Sequence, residues 1–134
     1  MTDVAGCRCG AVEVVVTGEP TGVVMCHCLD CQKRSGSVFG IGAYFPKSQV
    51  TISGKTTAFT RPTDEGRRFT HHFCPTCGST LYWIAEKHPD GVGVAVGNFA
   101  DPGFGGPDRS VWEQSRHDWV VVPDNVQHFP KGRG

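Results

Sequence analysis

The chain of 134 residues carries 13 Lys plus Arg against 13 Asp plus Glu, a zero formal charge that argues against a dedicated nucleic-acid binder and against a polybasic membrane-surface domain. With 38% hydrophobic residues beside 18 Gly and 9 Pro, it reads as one folded, turn-rich domain over residues 1–134 and not as a disordered chain. No apolar run approaches the roughly 20 residues of a membrane span, and Met1-Thr2-Asp3-Val4 lacks the start of a signal peptide, so a cytoplasmic protein is expected.

Strand patterns dominate the chain. Val12, Val14 and Val16 alternate with Ala11, Glu13 and Val15, and Gly18-Glu19-Pro20 turns the chain. Leu29 to Ser35 reads as the single helical turn. Val38 to Phe45, Gln49 to Ile52, Lys55 to Thr60, Arg67 to Phe73 and Ser79 to Ala85 are predicted strands. Turns fall at Pro46-Lys47-Ser48, at Arg61 to Gly66, and at His88-Pro89-Asp90-Gly91. Val92, Val94 and Val96 alternate again, and Ala100 to Asp108 is a Gly/Pro-rich loop. Trp112, Trp119 and Phe129 are expected in the core. The fold class is mainly β, with two or three small antiparallel sheets and no internal repeat.

Seven cysteines in such a chain point to metal or catalysis before disulfides, because cytosolic thiols stay reduced. They fall into three groups: Cys7-Arg8-Cys9-Gly10, Cys26-His27-Cys28-Leu29-Asp30-Cys31, and Cys74-Pro75-Thr76-Cys77-Gly78. Cys74 and Cys77 have the spacing of a zinc knuckle, with both sulfurs able to reach one ion at about 2.3 Å. A redox Cys-x-x-Cys needs a following helix, and the residues after Cys77 read as a strand. A disulfide between Cys7 and Cys9 would be strained by the side-chain geometry of an extended chain. Two ligands do not close a tetrahedral site, so the economical pairing is Cys7, Cys9, Cys74 and Cys77 around one structural zinc.

Seven minus four leaves Cys26, Cys28 and Cys31. Three protein ligands with an open fourth position is the arrangement of catalytic zinc. Two other readings stand beside it: a closed site completed by His27 or a distant residue, and a buried trio without metal. In a locally extended segment the His27 ring faces away from its neighbours' metal. Lys33-Arg34 directly after the trio is either a solvated turn or a pair of cations for an anionic substrate.

The order Cys-x-Cys-Gly, then Cys-His-Cys-x-x-Cys-Gln-Lys-Arg-Ser-Gly (Cys26 to Gly36), then Phe-Cys-x-x-Cys-Gly-Ser (Phe73 to Ser79) resembles the glutathione-dependent formaldehyde-activating enzyme family, which includes centromere protein V. The resemblance runs from Cys7 to Arg116-His117-Asp118-Trp119-Val120 and Phe129. It implies a zinc-stapled β-tent similar to methionine-R-sulfoxide reductase. It also implies a structural zinc on Cys7, Cys9, Cys74 and Cys77 and a second zinc on Cys26, Cys28 and Cys31. The implied activity is that of S-(hydroxymethyl)glutathione synthase, a carbon–sulfur lyase-type enzyme condensing glutathione or a related thiol with formaldehyde or a similar electrophile. Lys33 and Arg34 are then candidates for the glutathione carboxylates. The competing class is a non-enzymatic zinc-binding module for a thiol ligand or a protein partner. Methionine sulfoxide reduction is disfavoured, since every cysteine already belongs to a metal-like group.

Overall fold

The computed structural model describes residues 2–63 and 65–132. Eleven strands and one α-helix follow in chain order: β1 (Thr2–Gly6), β2 (Glu13–Thr17), β3 (Gly22–Cys26), α1 (Leu29–Ser35), β4 (Gly40–Pro46) and β5 (Val50–Ser53). They continue with β6 (Thr57–Pro62), β7 (Arg68–Phe73), β8 (Thr80–Ala85), β9 (Gly91–Ala95), β10 (Arg109–Val111) and β11 (Gln127–His128). A three-stranded sheet has the order β1-β2-β5, and an eight-stranded sheet runs β11-β10-β3-β4-β9-β8-β7-β6.

Period-two alternation builds the core between the sheets. Val14 and Val16 of β2 are fully buried while Glu13 and Thr17 face solvent. They join Ala43 and Phe45 of β4, Leu81 of β8, and Val92 and Val94 of β9 in one apolar cluster. Each fully buried Val, Leu or Phe contributes about 1.5–3 kcal/mol.

The opposite face of the large sheet is shaped by glycine. Trp83 of β8 pairs with Gly93 of β9, and Gly42 lies one strand further on. The indole lies so close to both that a Cβ at either position would collide with it. These two glycines let a large ring rest on the backbone, leaving space above it.

The mainly β expectation holds, with differences in sheet size and direction. The larger sheet has eight strands, and β10 pairs in parallel with both β3 and β11. β3 was not anticipated because it lies in the middle of the sheet, with Val23, Val24 and Met25 all buried, so no alternation marks it. β10 and β11 are too short to announce themselves. Trp119, expected in the core, is 71% exposed, and Val120 and Val126 are buried in its stead. The stretch after β10 turns through a 3-10 segment, Glu113–Ser115, and leaves the sheet, so its apolar residues do not share one face. Trp112 and Phe129 are partly buried. Among the described residues no helix is long and apolar enough to cross a membrane.

Candidate functional site

The first cysteine group follows β1 directly. Cys7 donates its N–H to the Val12 carbonyl at 3.1 Å, and the Val12 N–H donates to Cys7 Sγ at 3.2 Å. The second half is the knuckle before β8. There Gly78, at φ 79°, donates its N–H to the Cys74 carbonyl at 2.8 Å, and the Thr76 N–H donates to Cys74 Sγ at 3.4 Å. The Arg8 N–H reaches Ser79 Oγ at 3.2 Å and ties the two halves together.

Sulfur spacing shows what this arrangement can hold. Cys7 and Cys9 Sγ are 3.7 Å apart, Cys9 and Cys74 Sγ are 3.6 Å apart, and all four sulfurs lie within 4.8 Å of one another. Tetrahedral bonds of about 2.3 Å would space four sulfurs about 3.8 Å apart, so the donor set fits a metal ion. Hydrogen bonds from Ser79 hold the Cys77 thiol down at about 5, which favours the thiolate a metal needs.

The second group spans a strand-to-helix turn. Cys26 ends β3, Cys28 caps α1, and Cys31 sits in its first turn; their sulfurs also lie within 4.8 Å of one another. The Cys31 N–H donates to Cys28 Sγ at 3.3 Å, a cap in which sulfur replaces the usual oxygen. Hydrogen bonds from Cys26 and Cys31 pull the Cys28 thiol down to about 2, outweighing burial. The same contact with Cys28 pushes the Cys26 thiol up.

His27 does not join them. Its ring is fully buried, with Nε2 at 2.9 Å from Ser110 Oγ, and burial pushes its pKa down, so it stays neutral. Its main chain is anchored as well. The N–H donates to Val111, and the carbonyl accepts from Gln32 Nε2 and Ser115 Oγ, both at 2.9 Å. A residue held at both ends between two candidate ligands fixes where Cys26 and Cys28 point. Among the described residues no further His, Cys, Asp or Glu enters this group.

A cavity of about 570 Å³ is lined by Cys26, Cys28 and Cys31 together with Arg34, Tyr44 and Trp83. The Arg34 guanidinium stacks 4.4 Å above the Trp83 ring. Arg61 of β6 also lines the cavity. Its Nε approaches Asp30 Oδ2 at 2.7 Å, a contact of charge and not an aligned hydrogen bond, and its guanidinium lies over Phe69. Arg67, Arg68 and Lys87 add positive charge to the lining, against Asp30 and Glu65. The Trp83 Nε1–H donates to the Tyr44 hydroxyl at 2.9 Å, and burial pushes the Tyr44 phenol up.

The seven cysteines are therefore brought together as four plus three. Arg34 lines the cavity, whereas Lys33 is exposed and is not part of the lining. Arg61, Tyr44 and Trp83 were not singled out from the sequence. One signal was present: Gly42 and Gly93 inside strand patterns mark a close approach by a bulky group.

The family model described as glutathione-dependent formaldehyde-activating enzyme matches residues 2–115, a span holding both cysteine groups and the strands around the cavity. This chain belongs to the glutathione-dependent formaldehyde-activating enzyme family. Members similar to it include a Fusarium vanettenii protein, itself named as a candidate enzyme of this kind, 33% identical over 62% of this chain and 46% of its own length. A Penicillium rubens protein named in the same way is 29% identical over 83% of this chain and 63% of its own length. The chain spans about half the length of the first of these curated relatives. Among solved structures, a Rhodobacter sphaeroides protein superposes with a TM-score of 0.59 at 26% identity, over 78% of this chain and 91% of that one.

Proposed function

We propose that this family member is a zinc-dependent enzyme that joins glutathione, or a related thiol, to formaldehyde or a similar small electrophile. This is S-(hydroxymethyl)glutathione synthase chemistry of the carbon–sulfur lyase type. The observation that carries the reading is that Cys26, Cys28 and Cys31, close enough to share one ion, line a cavity together with Arg34, Arg61, Arg67 and Arg68. In this reading Cys7, Cys9, Cys74 and Cys77 hold a structural zinc, and the trio holds a second with one position left for substrate. Zinc at the trio supplies a Lewis acid that keeps a bound thiol in its thiolate form.

The remaining work falls to the chain's own groups. Glutathione carries two carboxylates and one ammonium. Arg34 has no carboxylate partner among the described residues and is already oriented by Trp83, so it is the group best placed to hold a carboxylate. Arg61 stands nearby, and Asp30 and Glu65 offer sites for the ammonium. Lys33, outside the lining, leaves this role to Arg34. A reducing, cytoplasmic setting belongs to the same reading, since cysteines that hold metal must stay reduced.

Exchange NMR with glutathione and formaldehyde tests the proposal, with the protein-free mixture as the blank, because thiols add to formaldehyde unaided. The expected result is hydroxymethyl-thiol formation above the blank, with Cys31→Ser removing the increment. A protein that binds glutathione yet never exceeds the blank would be a thiol-binding zinc module and not an enzyme.

A further inference from the structure

Addition of a thiol to a carbonyl needs care at two atoms. The S–C bond forms while the C=O π pair moves onto oxygen, which becomes alkoxide-like. The S–H bond breaks, and its proton ends on the product hydroxyl through solvent, so no oxidant or reductant enters. The cysteine trio attends the sulfur. The oxygen needs a fixed hydrogen-bond donor, because donors preorganised where charge develops act without reorganising.

Tyr44 meets that requirement. Gly40, Gly42 and Tyr44 alternate along the cavity face of β4, while Ala43 and Phe45 go into the core. The same face carries Cys26, which pairs with Gly40 across β3 and β4. The Tyr44 oxygen accepts the Trp83 Nε1–H at 2.9 Å, and indole nitrogen can only donate. That bond takes a lone pair and leaves the O–H proton over. Among the described residues nothing accepts that proton. Trp83 is itself locked by its rest on Gly42 and Gly93 and by Arg34 above it, so the tyrosine oxygen is held in place from behind.

We propose that Tyr44 is a catalytic residue that donates its O–H to the carbonyl oxygen of the electrophile as the thiol adds. The assignment rests on the function proposed above. It explains why a cavity lined by the cysteine trio and by cationic groups carries a tyrosine, with the donor in place and the acceptor supplied by substrate.

Tyr44→Phe removes the donor and keeps the ring. In the zinc-loaded protein it should lower the catalysed increment by about 100-fold, the cost of losing one oxyanion donor. Zinc content and glutathione affinity should stay within twofold of wild type, while the melting temperature falls by several degrees because the Trp83 Nε1–H loses its acceptor. A second readout does not depend on turnover. The chain has two tyrosines, Tyr44 and Tyr82, so 13Cζ-tyrosine NMR gives two resonances, and Tyr44→Phe assigns them. The Tyr44 signal should move when formaldehyde joins the glutathione-loaded protein, and not with glutathione alone. A folded, zinc-loaded Tyr44→Phe protein that matches an active wild type overturns this inference and leaves the function standing. Loss of glutathione affinity with unchanged turnover also overturns it, since Tyr44 would then only shape the pocket. A wild type that fails to exceed the blank removes the function, and this inference with it.

Discussion

The sulfur of Cys9 lies 3.6 Å from that of Cys74, 65 positions further along the chain. This contact joins the loop after β1 to the knuckle before β8, and so couples the edge of the small sheet to the middle of the large one. A metal held here closes a long loop and turns binding energy into folding energy.

Replacing Cys9 or Cys74 with Ser should therefore leave an aggregated or molten product. Structural zinc is worth about 10–16 kcal/mol in small zinc peptides, as much as the whole stability of a typical domain. Near-UV circular dichroism should lose its signal, and no cooperative thermal transition should remain.

The trio should behave differently, because α1 and the anchored His27 segment keep their other contacts without it. Cys28→Ala should give a folded protein with one zinc fewer and no catalytic increment. Mild chelation of wild type should remove one zinc early without unfolding and the second only as the fold is lost, since three ligands release an ion more readily than four. Elemental analysis alongside thermal melts reads both. Loss of all metal in a single step with the fold would count against two sites.

Arg34 and Lys33 are neighbours in sequence with different surroundings. Arg34→Gln should raise the KM for glutathione by about 10-fold, the loss of one charge-assisted contact worth about 1.4 kcal/mol. Lys33→Ala should change KM by less than twofold, since Lys33 is exposed and outside the lining. Steady-state kinetics against glutathione concentration separates the two.

Gly93→Ala should destabilise the fold although the residue added is small and apolar. The new methyl would meet the indole of Trp83, and overpacking of this kind costs about 1–3 kcal/mol. A melting temperature lower by several degrees is expected. The fluorescence of the chain should change as well, because the Trp83 indole, hydrogen-bonded to Tyr44, must shift.

The three cysteine groups were legible in the sequence because each is local, with ligands two or three residues apart able to reach one ion, and seven divides into four and three. The meeting of Cys7 and Cys9 with Cys74 and Cys77, expected only from ligand count, is brought about by the tertiary structure. Strands such as β2 were legible for a similar reason, since alternation of Val with polar residues reports one buried face, and in β9 the valines alternate with Gly93, which lies under Trp83. What only the tertiary structure decided is the cavity. Tyr44 on β4, Arg61 on β6 and Trp83 on β8 share one face because sheet register places them there, and register is set by pairings between distant strands, while α1 brings Arg34 over Trp83. The parallel seating of β10 on β3 was equally hidden, as three residues of pairing leave no pattern to read. Trp119 shows the converse: a large apolar residue whose composition points inward stands on the surface, because the backbone there follows no strand and no periodicity holds it to the core.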